Sequence, residues 1–436
     1  MIGLVIMFVL EGLVCSATGI NHASMGSLEV VSLALLFVNS AALFFYITRR
    51  FADYNNVVMC AVIGSLLMKV VLLLWDYYAT GIFVLPNSHV DSEGFHKKAI
   101  LFANNILPHV ENYSYLVGYI YRYFGVQRIT AQYFNILLSF AGISLFEKTL
   151  TILDIDQTAK SRALIFAGLL PNYAIMSAIL IRECLISFIV SVAMYLFGNW
   201  WKGRGFIYFI LAELVSLSAC YFHSGAIAVT IGIAISSIIS KRGQEKDKGR
   251  HLNLSLKSLI MAVVFFAVFM YMFDSLSDTL LKRFHGLEMN VIDDYIAEHN
   301  IYEAEESTSS TYTAGIINKS GLTGIIINSP IRIIYFLWVP MPWDFRGVND
   351  IIAFFGSSLF YGGVVFRTIP CLFRKRIAES NSTLMMTVLV IALCGAMVFA
   401  WGVDSAGSAL RHREKFFFVY LLLYAIFQQD LIYERM

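Results

Sequence analysis

Side chains that could do chemistry stand at the ends of long apolar runs in this chain. The carboxylates of Asp91 and Glu183 and the imidazole of His223 can each accept a proton from a reacting hydroxyl group. The indole of Trp343 offers an aromatic face to a sugar ring. The guanidinium groups that can hold phosphate through paired hydrogen bonds are those of Arg182, Arg346, Arg411 and Arg413. Proton acceptors and phosphate-binding arginines together suit the chemistry of group transfer.

The first of these residues allow a structural interpretation as well as a chemical one. Asp91 opens a predicted short helix, where it is either an N-terminal cap or a general base at the mouth of a cavity. Glu93 is a second candidate for that base. Arg182 and Glu183 separate two apolar segments at a tight turn. A charged pair at such a depth is typical of a functional site, although both side chains can also extend to water.

His223 lies at another tight turn, in the segment Tyr221-Phe-His-Ser-Gly225. A lone histidine between apolar runs is more often structural than catalytic, but it can donate a hydrogen bond to a sugar or a phosphate. No second His or Cys stands at ligand spacing, and the 6 cysteines show no metal-binding pattern. We therefore predict no cofactor and no metal site; a divalent metal is compatible with the chemistry but nothing in the spacing indicates one.

The later arginines also lie between apolar runs. Trp343 and Arg346 follow two prolines, which exclude regular helix, so Trp343 is either an interfacial anchor or a platform for a sugar. Arg411 and Arg413 lie with Lys415 in a short loop. So much positive charge on an outer face needs compensation, which a lipid-linked phosphate would supply. Anionic headgroups or neighbouring acidic residues are the alternative.

The composition places these residues in a membrane protein. Of 436 residues 58% are hydrophobic and 14% are charged, whereas a soluble domain has about 25% charged residues. A lipid-spanning helix takes about 20 apolar residues, and continuous runs predict about twelve such helices. They are 2–20, 27–48, 57–76, 129–147, 162–181, 184–201, 206–222, 225–240, 257–273, 351–370, 383–401 and 415–429. We expect an all-α, polytopic chain with a single transmembrane domain over 1–436, because the runs lack the alternation of membrane strands.

Basic loops orient the predicted helices. They are Arg49-Arg50, Lys148 to Arg162, Lys202 to Arg204, Lys241 to Lys257 and Arg374 to Arg376. The positive-inside rule places them, and both termini, in the cytoplasm. Two long loops, 77–128 and 274–349, then face outward and are expected to contain re-entrant or interfacial helices. The apolar segment 321–341 is either a re-entrant hairpin or a true span.

Short motifs in order along the chain resemble those of polytopic glycosyltransferases of the GT-C type and bacterial polysaccharide polymerases of the Wzy and EpsG kind. They are Asp91-x-x-x-Phe95, Pro171 followed by Leu180-Ile-Arg-Glu183, His223-Ser-Gly and Arg411-His-Arg413. The resemblance implies transfer of glycan from a polyprenyl phosphate or diphosphate carrier on the outer face of the bacterial plasma membrane. It implies that Asp91 is the catalytic or acceptor-orienting carboxylate, and that Arg182, Arg411 and Arg413 hold the carrier phosphates.

Other functions compete with this one. A transporter or flippase of lipid-linked oligosaccharide would use many spans, but it commonly shows repeated halves and midplane polar residues, and we find no repeat. An O-acyltransferase would need a histidine deep in the membrane, which His223 at an outer turn fits poorly. A scaffold would leave the arginines unexplained. A net charge of only +2 indicates no nucleic-acid partner; the expected partners are the lipid-linked glycan, the bilayer and other polysaccharide-assembly proteins.

Overall fold

The computed structural model describes residues 1–88, 90–239, 321–372, 379–401, 403 and 405–433. Within these ranges the regular secondary structure is helical and contains no strand, which confirms the all-α part of the predicted fold class. The chain divides into two compact units, Met1–Tyr195 and Leu196–Met436.

The first unit is built from nine helices within its described residues. They are α1 (Ile2–Ala17), α2 (Met25–Arg50), α3 (Asn56–Tyr78), α4 (Val90–Ala103), α5 (Asn112–Phe124), α6 (Arg128–Ile152), α7 (Gln157–Leu169), α8 (Pro171–Ala178) and α9 (Glu183–Trp201), the last of which continues into the second unit. The helix α6 is buried over most of its length and lies at the centre of the unit.

The described helices of the second unit begin after α9. They are α10 (Ile207–Ser218), α11 (Ile227–Ile239), α12 (Gly321–Trp338), α13 (Val348–Ala353), α14 (Leu359–Leu372), α15 (Glu379–Ala400), α16 (Ala406–Glu414) and α17 (Phe417–Tyr433). The helices α11 and α15 approach closely at Gly232, where an added Cβ would lie 2.8 Å from the Cα of Ile391. Residues 274–320 of the predicted second outer loop lie outside the described residues.

Six described helices are long and apolar enough to cross a membrane, or seven if one bent pair forms a single span. The six are Met25–Arg50, Asn56–Tyr78, Arg128–Ile152, Glu183–Trp201, Val348–Leu372 and Ser382–Ala400. The bent pair is α16 with α17, which meet at 71°. The runs expected at 2–20, 206–222 and 225–240 form shorter apolar helices, and 257–273 lies outside the described residues. The chain is therefore a membrane protein by its helices, while the count of about twelve spans stays a prediction.

One expected span, 162–181, is divided in the structure. The helix α7 ends at Leu169 and α8 begins at Pro171. Proline lacks the backbone N–H that a continuing helix needs, and it drives the preceding residue out of the helical region. Leu170 accordingly has φ −66° and ψ 113°. The two shorter helices replace a continuous crossing.

The predicted first outer loop contains a helical hairpin, formed by α4 and α5. The helix α5 buries Tyr113, Val117 and Tyr121 on one face, as a spacing of four residues requires, and exposes Tyr119 on the other. It lies against α4 at Gly118, where an added Cβ would be 2.5 Å from the ring of Phe102. The hairpin also packs on α1 and α6. The expected interfacial segment is thus an amphipathic helix held by tertiary packing.

The apolar segment expected at 321–341 is one helix, α12, followed by an irregular segment. Pro330 lies inside this helix without ending it. The structure thus shows a single helix in this segment and not a helical hairpin. The helix α12 is also not among the helices that meet the length and hydropathy criteria for a span.

Candidate functional site

A cavity of about 280 Å³ that contains charged side chains lies in the first unit, where α3 ends and α4 and α6 begin. The lining residues are Met25, Asp76, Tyr77, Thr80, Ser88, Glu93, His96, Ile100, Val126, Gln127 and Arg128. They combine two carboxylates, one guanidinium and one imidazole. This is a set of groups that can bind a polar ligand and move a proton.

Arg128 connects the two carboxylates of the cavity. Its Nη2 donates to Oδ2 of Asp76 at 2.9 Å, its Nη1 pairs with Glu93, and Nη2 also donates to Ser92. The side chain of Asp76 is fully buried and also accepts hydrogen bonds from Ser88 and Gln132. A buried carboxylate is stable only when such partners replace water.

The positions of these charges along their helices explain why they need each other. Asp76 stands in the last turn of α3, where the helix dipole disfavours negative charge. Arg128 is the first residue of α6, where the dipole disfavours positive charge. Each compensates the other, so the ion pair fixes the end of α3 against the start of α6 and defines the inner wall of the cavity.

His96 lines the same cavity from α4. Its Nδ1 lies 2.7 Å from the hydroxyl of Tyr121 on α5, and the two rings meet edge to face. Burial lowers the pKa of His96 below its ordinary 6.5, and the positive charge of Arg128 lowers it further. The imidazole is therefore mostly neutral at pH 7.

The first unit also brings Arg182 to the helix that carries Asp91. The guanidinium carbon of Arg182 lies 5.5 Å from the ring centre of Phe95. Phe95 stands four residues after Asp91 and so on the same face of α4. Asp91 is half-buried in the first turn, as the cap and the base interpretations both require. Glu183 is buried at the start of α9.

A buried amide holds the turn that presents Arg182. Asn135 on α6 donates hydrogen bonds to the carbonyl oxygens of Ile179 and Ile181, both at 3.0 Å, and lies 3.0 Å from the hydroxyl of Tyr113. These bonds satisfy backbone groups that the break between α8 and α9 leaves without helical partners. Asn135 thus stabilises the non-helical path of the chain just before the Arg182–Glu183 pair.

In the second unit, His223 is buried and caps a short turn. Its Nδ1 accepts a hydrogen bond from the backbone N–H of Gly225 at 3.1 Å. Its ring lies 5.0 Å from the ring of His412 and 5.3 Å from that of Phe399, and Lys415 donates to Nδ1 of His412. The capping bond is the structural role that the sequence analysis kept open for His223.

Arg413 is fully buried and holds α16 to the end of α12. It donates to the carbonyl oxygens of Leu337 at 2.6 Å and Val339 at 2.8 Å, and to Ser358 at 3.1 Å. The last carbonyl groups of a helix have no N–H donors within the helix, and the guanidinium of Arg413 provides N–H donors for them. The neighbouring Glu414 accepts from the Tyr361 hydroxyl at 2.9 Å. These contacts describe an anchor for the helix.

The remaining predicted phosphate ligands are closer to the surface of the second unit. Arg411 is half-buried in the last turn of α16, and its Nη2 lies 3.5 Å from the hydroxyl of Ser408. Trp343 and Arg346 are exposed in the segment after α12, with Trp343 74% exposed. An exposed tryptophan in a membrane protein suits an interfacial anchor and a ligand platform equally.

Sequence reasoning missed the central residues of the cavity. Asp76 is the last residue of the predicted span 57–76, and Arg128 directly precedes the predicted span 129–147. Polar residues inside or at the ends of apolar runs are the signal that identifies them, because such groups are costly unless paired. The same signal applies to Gln132 and Asn135, which lie within the run 129–147.

Lys69 is a further buried charge, in the middle of α3. Its Nζ donates to Ser139 at 2.9 Å and lies 4.7 Å and 4.9 Å from the ring centres of Phe140 and Tyr173. Aromatic faces stabilise a cation in a desolvated site. This residue lies within the predicted run 57–76, and the sequence analysis did not single it out.

Comparison of the chain with family models, with curated proteins and with solved structures found no match. Within the described ranges, no cluster of three or more His, Cys, Asp and Glu side chains has an arrangement that could hold a metal ion.

Proposed function

We propose that this chain is a membrane glycosyltransferase that moves a glycan from a polyprenyl phosphate or diphosphate carrier on the outer face of the bacterial plasma membrane. In this proposal it is a repeat-unit polymerase, both termini are cytoplasmic, and the described apolar helices belong to a bundle of about twelve spans. The observation that carries the proposal is the cavity lined by Asp76, Glu93, His96 and Arg128 at the ends of candidate spans.

The cavity supports transfer chemistry because the helix α4 brings proton acceptors to it and is itself contacted by the cationic side chain of Arg182. Asp91, Glu93 and His96 share α4, and Arg182 contacts the same helix at Phe95. A carrier keeps its lipid tail in the bilayer, so its scissile bond stays near the ends of the spans, where these groups stand. Positioning and charge neutralisation are then sufficient for catalysis, because the donor is already activated.

The proposed reaction needs one proton acceptor and cationic side chains that bind phosphate. An acceptor hydroxyl oxygen forms a bond to the anomeric carbon of the donor, the bond from that carbon to the carrier phosphate oxygen breaks, and the hydroxyl proton passes to Asp91. In the first unit Arg182 is assigned to the carrier phosphate and stabilises the charge of the leaving group. In the second unit Arg411 and Arg346 are assigned as phosphate ligands. Glu183 and His223 orient the glycan, and Trp343 offers a stacking surface.

Arg413 takes a different part in this proposal. Its guanidinium donates to two carbonyl oxygens and a hydroxyl group of the protein. We assign it the role of positioning α16, the helix that also carries Arg411. The phosphate contact expected from the sequence thus falls mainly on Arg411.

The direct test gives the purified chain a polyprenyl-diphosphate-linked oligosaccharide in detergent and analyses the lipid-linked products by mass spectrometry. We expect longer lipid-linked glycans without added ATP or nucleotide sugar. Asp91→Asn should slow transfer more than it weakens donor binding, because it removes a base. The matched control is Asp53→Asn, an exposed carboxylate after α2. Equal rates for the two variants would remove Asp91 from the chemistry.

A transporter or flippase of lipid-linked oligosaccharide is the alternative that one observation favours. Lys69 is a buried charge in the middle of a candidate span, and such charges often line substrate or ion pathways. A transporter would leave the glycan unchanged and would lose transport in Lys69→Met. In the glycosyltransferase Lys69 holds α3 to α6, and Lys69→Met alters stability more than product length.

A further inference from the structure

Among the residues that line the cavity of the first unit, Arg128 is the one cationic side chain, and it already pairs with two carboxylates. These carboxylates are those of Asp76 and Glu93. With His96 neutral, the formal charge of the lining groups is negative. A phosphate group entering this space would meet more negative than positive charge in a partly desolvated site, where repulsion is strong. The cavity therefore suits a neutral or amino-bearing ligand.

The size of the cavity restricts the ligand further. Pockets for drug-sized molecules have volumes of about 300–1,000 Å³, and this cavity has about 280 Å³. It fits a compact ligand of the size of a sugar ring. Its lining combines hydroxyl, amide and carboxylate groups with the ring of Tyr77 and the apolar side chains of Met25, Ile100 and Val126. This combination matches a ligand with hydroxyl groups on an apolar frame.

The contact between Tyr121 and His96 fixes what the imidazole offers to that ligand. Tyr121 is 2% exposed, and its hydroxyl group lies 2.7 Å from Nδ1 of His96. A buried hydroxyl donates its hydrogen where an acceptor is present, so Tyr121 donates to Nδ1. The ring proton then resides on Nε2, and His96 is one of the residues that line the cavity.

Glu93 provides the complementary acceptor. Its Oε1 binds Arg128, which leaves Oε2 for a ligand, and one third of the side chain is exposed. A sugar hydroxyl group both donates and accepts a hydrogen bond. An N–H donor and a carboxylate acceptor, three residues apart on one face of α4, can satisfy both roles.

We infer that this cavity is the subsite for a neutral sugar ring of the acceptor glycan, recognised by the Nε2–H of His96 and the carboxylate of Glu93. The inference rests on the proposed function, which it deepens by assigning the acceptor sugar and not the carrier phosphate to the first unit's cavity. Arg128 and Tyr121 are positioning residues in it. Arg128 bridges the carboxylates of Asp76 and Glu93 and so positions Glu93, and Tyr121 sets the tautomer of His96.

The test measures sugar binding without any donor, so that it is independent of turnover. The purified full chain in detergent is titrated with the methyl glycosides of glucose, galactose and N-acetylglucosamine, and with sodium pyrophosphate, and thermal unfolding is followed. At least one glycoside should raise the unfolding temperature of the wild type. His96→Gln should weaken that binding by about 3- to 10-fold, the effect of one lost hydrogen bond. Pyrophosphate affinity should be the same in both proteins.

His109→Gln is the matched control. His109 is exposed in the connection between α4 and α5, and its Nδ1 lies 3.5 Å from a tyrosine hydroxyl, so the same substitution there leaves the cavity intact. If His96→Gln does not accumulate, Tyr121→Phe replaces it, because it releases the tautomer without changing the size of the ring. Sugar affinity should fall in this variant and stay unchanged in the control.

The inference is overturned if none of the glycosides stabilises the wild type, if both cavity variants bind the sugar as well as the control, or if His96→Gln changes pyrophosphate affinity instead. The two proposals fail in different ways. Sugar binding that depends on His96, combined with unaltered glycan in the product assay, would refute the transferase and retain the sugar site. Normal transfer with no role for His96 in acceptor affinity would refute the sugar site alone.

Discussion

Replacing Arg128 with methionine should destabilise the first unit more than any exposed charge substitution in it. Methionine has a similar length and no charge, so the change removes the guanidinium with little change in side-chain volume. It leaves Asp76, whose side chain is fully buried, with Ser88 and Gln132 as its remaining partners. Glu93 can turn to water because one third of its side chain is already exposed.

The expected cost follows from that difference in burial. Removing one partner of a buried ion pair costs about 3–5 kcal/mol, because a charge is left without compensation. In a unit of this size each kcal/mol lowers the unfolding temperature by about 2–4 °C, so the total decrease is about 6–20 °C. Lys98→Met is the control, since it breaks the exposed Lys98–Glu111 pair, with side chains 44% and 46% exposed. Such a pair contributes about 0–1 kcal/mol.

Thermal unfolding of the purified chain in one detergent measures both variants. A second comparison uses Asp76→Asn together with Arg128→Met. Because the double variant contains no buried unpaired carboxylate at this position, it should be more stable than Arg128→Met alone. A decrease in Arg128→Met no larger than that of Lys98→Met, or a fully additive double variant, would refute the assignment of this pair as the element that holds the cavity wall.

The remaining predictions concern the anchor of α16, the turn before Arg182 and the imidazole of the cavity. Arg413→Ala should lower the free energy of unfolding by about 1–3 kcal/mol for each buried acceptor that loses its donor. Arg411→Ala should instead abolish transfer with little change in the unfolding temperature. Loss of activity without loss of stability in Arg413→Ala would contradict the positioning role of Arg413. Asn135→Leu removes the hydrogen bonds to Ile179 and Ile181, so it should lower stability by a similar amount and increase hydrogen exchange at the turn before α9. Unchanged exchange there would contradict the role of Asn135 in holding the turn. Because the pKa of His96 is lowered on folding, the unfolded chain binds more protons below about pH 6.5, and stability should fall as the pH decreases through that value. His96→Gln should flatten this part of the pH profile, and an unaltered profile would show that another group titrates.

The helical fold followed directly from the apolar runs, but their division did not. Continuous apolar sequence predicts helix, and α2, α3 and α6 appear where the runs are. The break between α8 and α9 requires knowing that Asn135, far along the chain, satisfies the backbone carbonyl groups of Ile179 and Ile181. A local window cannot contain that information, because the partners come from different helices.

Only some residues of the candidate site could be predicted from the sequence, again because contacts between distant segments are not visible in it. Charged residues in loops, such as Asp91 and Arg182, attract attention because they interrupt apolar runs. Asp76 and Arg128 are less visible, because each continues a helix. Their significance depends on the pairing across α3 and α6, and pairing between distant segments is a property of the fold. Arg413 illustrates the converse case, since a conspicuous arginine in a polar motif is engaged in capping a neighbouring helix.

The measurement that tests the central claim most directly is product analysis in sealed proteoliposomes. The chain is reconstituted with a polyprenyl-diphosphate-linked oligosaccharide, and the lipid-linked glycans are extracted and analysed by mass spectrometry, while their distribution between the two leaflets is followed. The glycosyltransferase account predicts longer glycans with the wild type, none with Arg411→Ala, and no change of leaflet that depends on the protein. Glycans of unchanged length that move across the bilayer with the wild type would contradict it and establish the transporter.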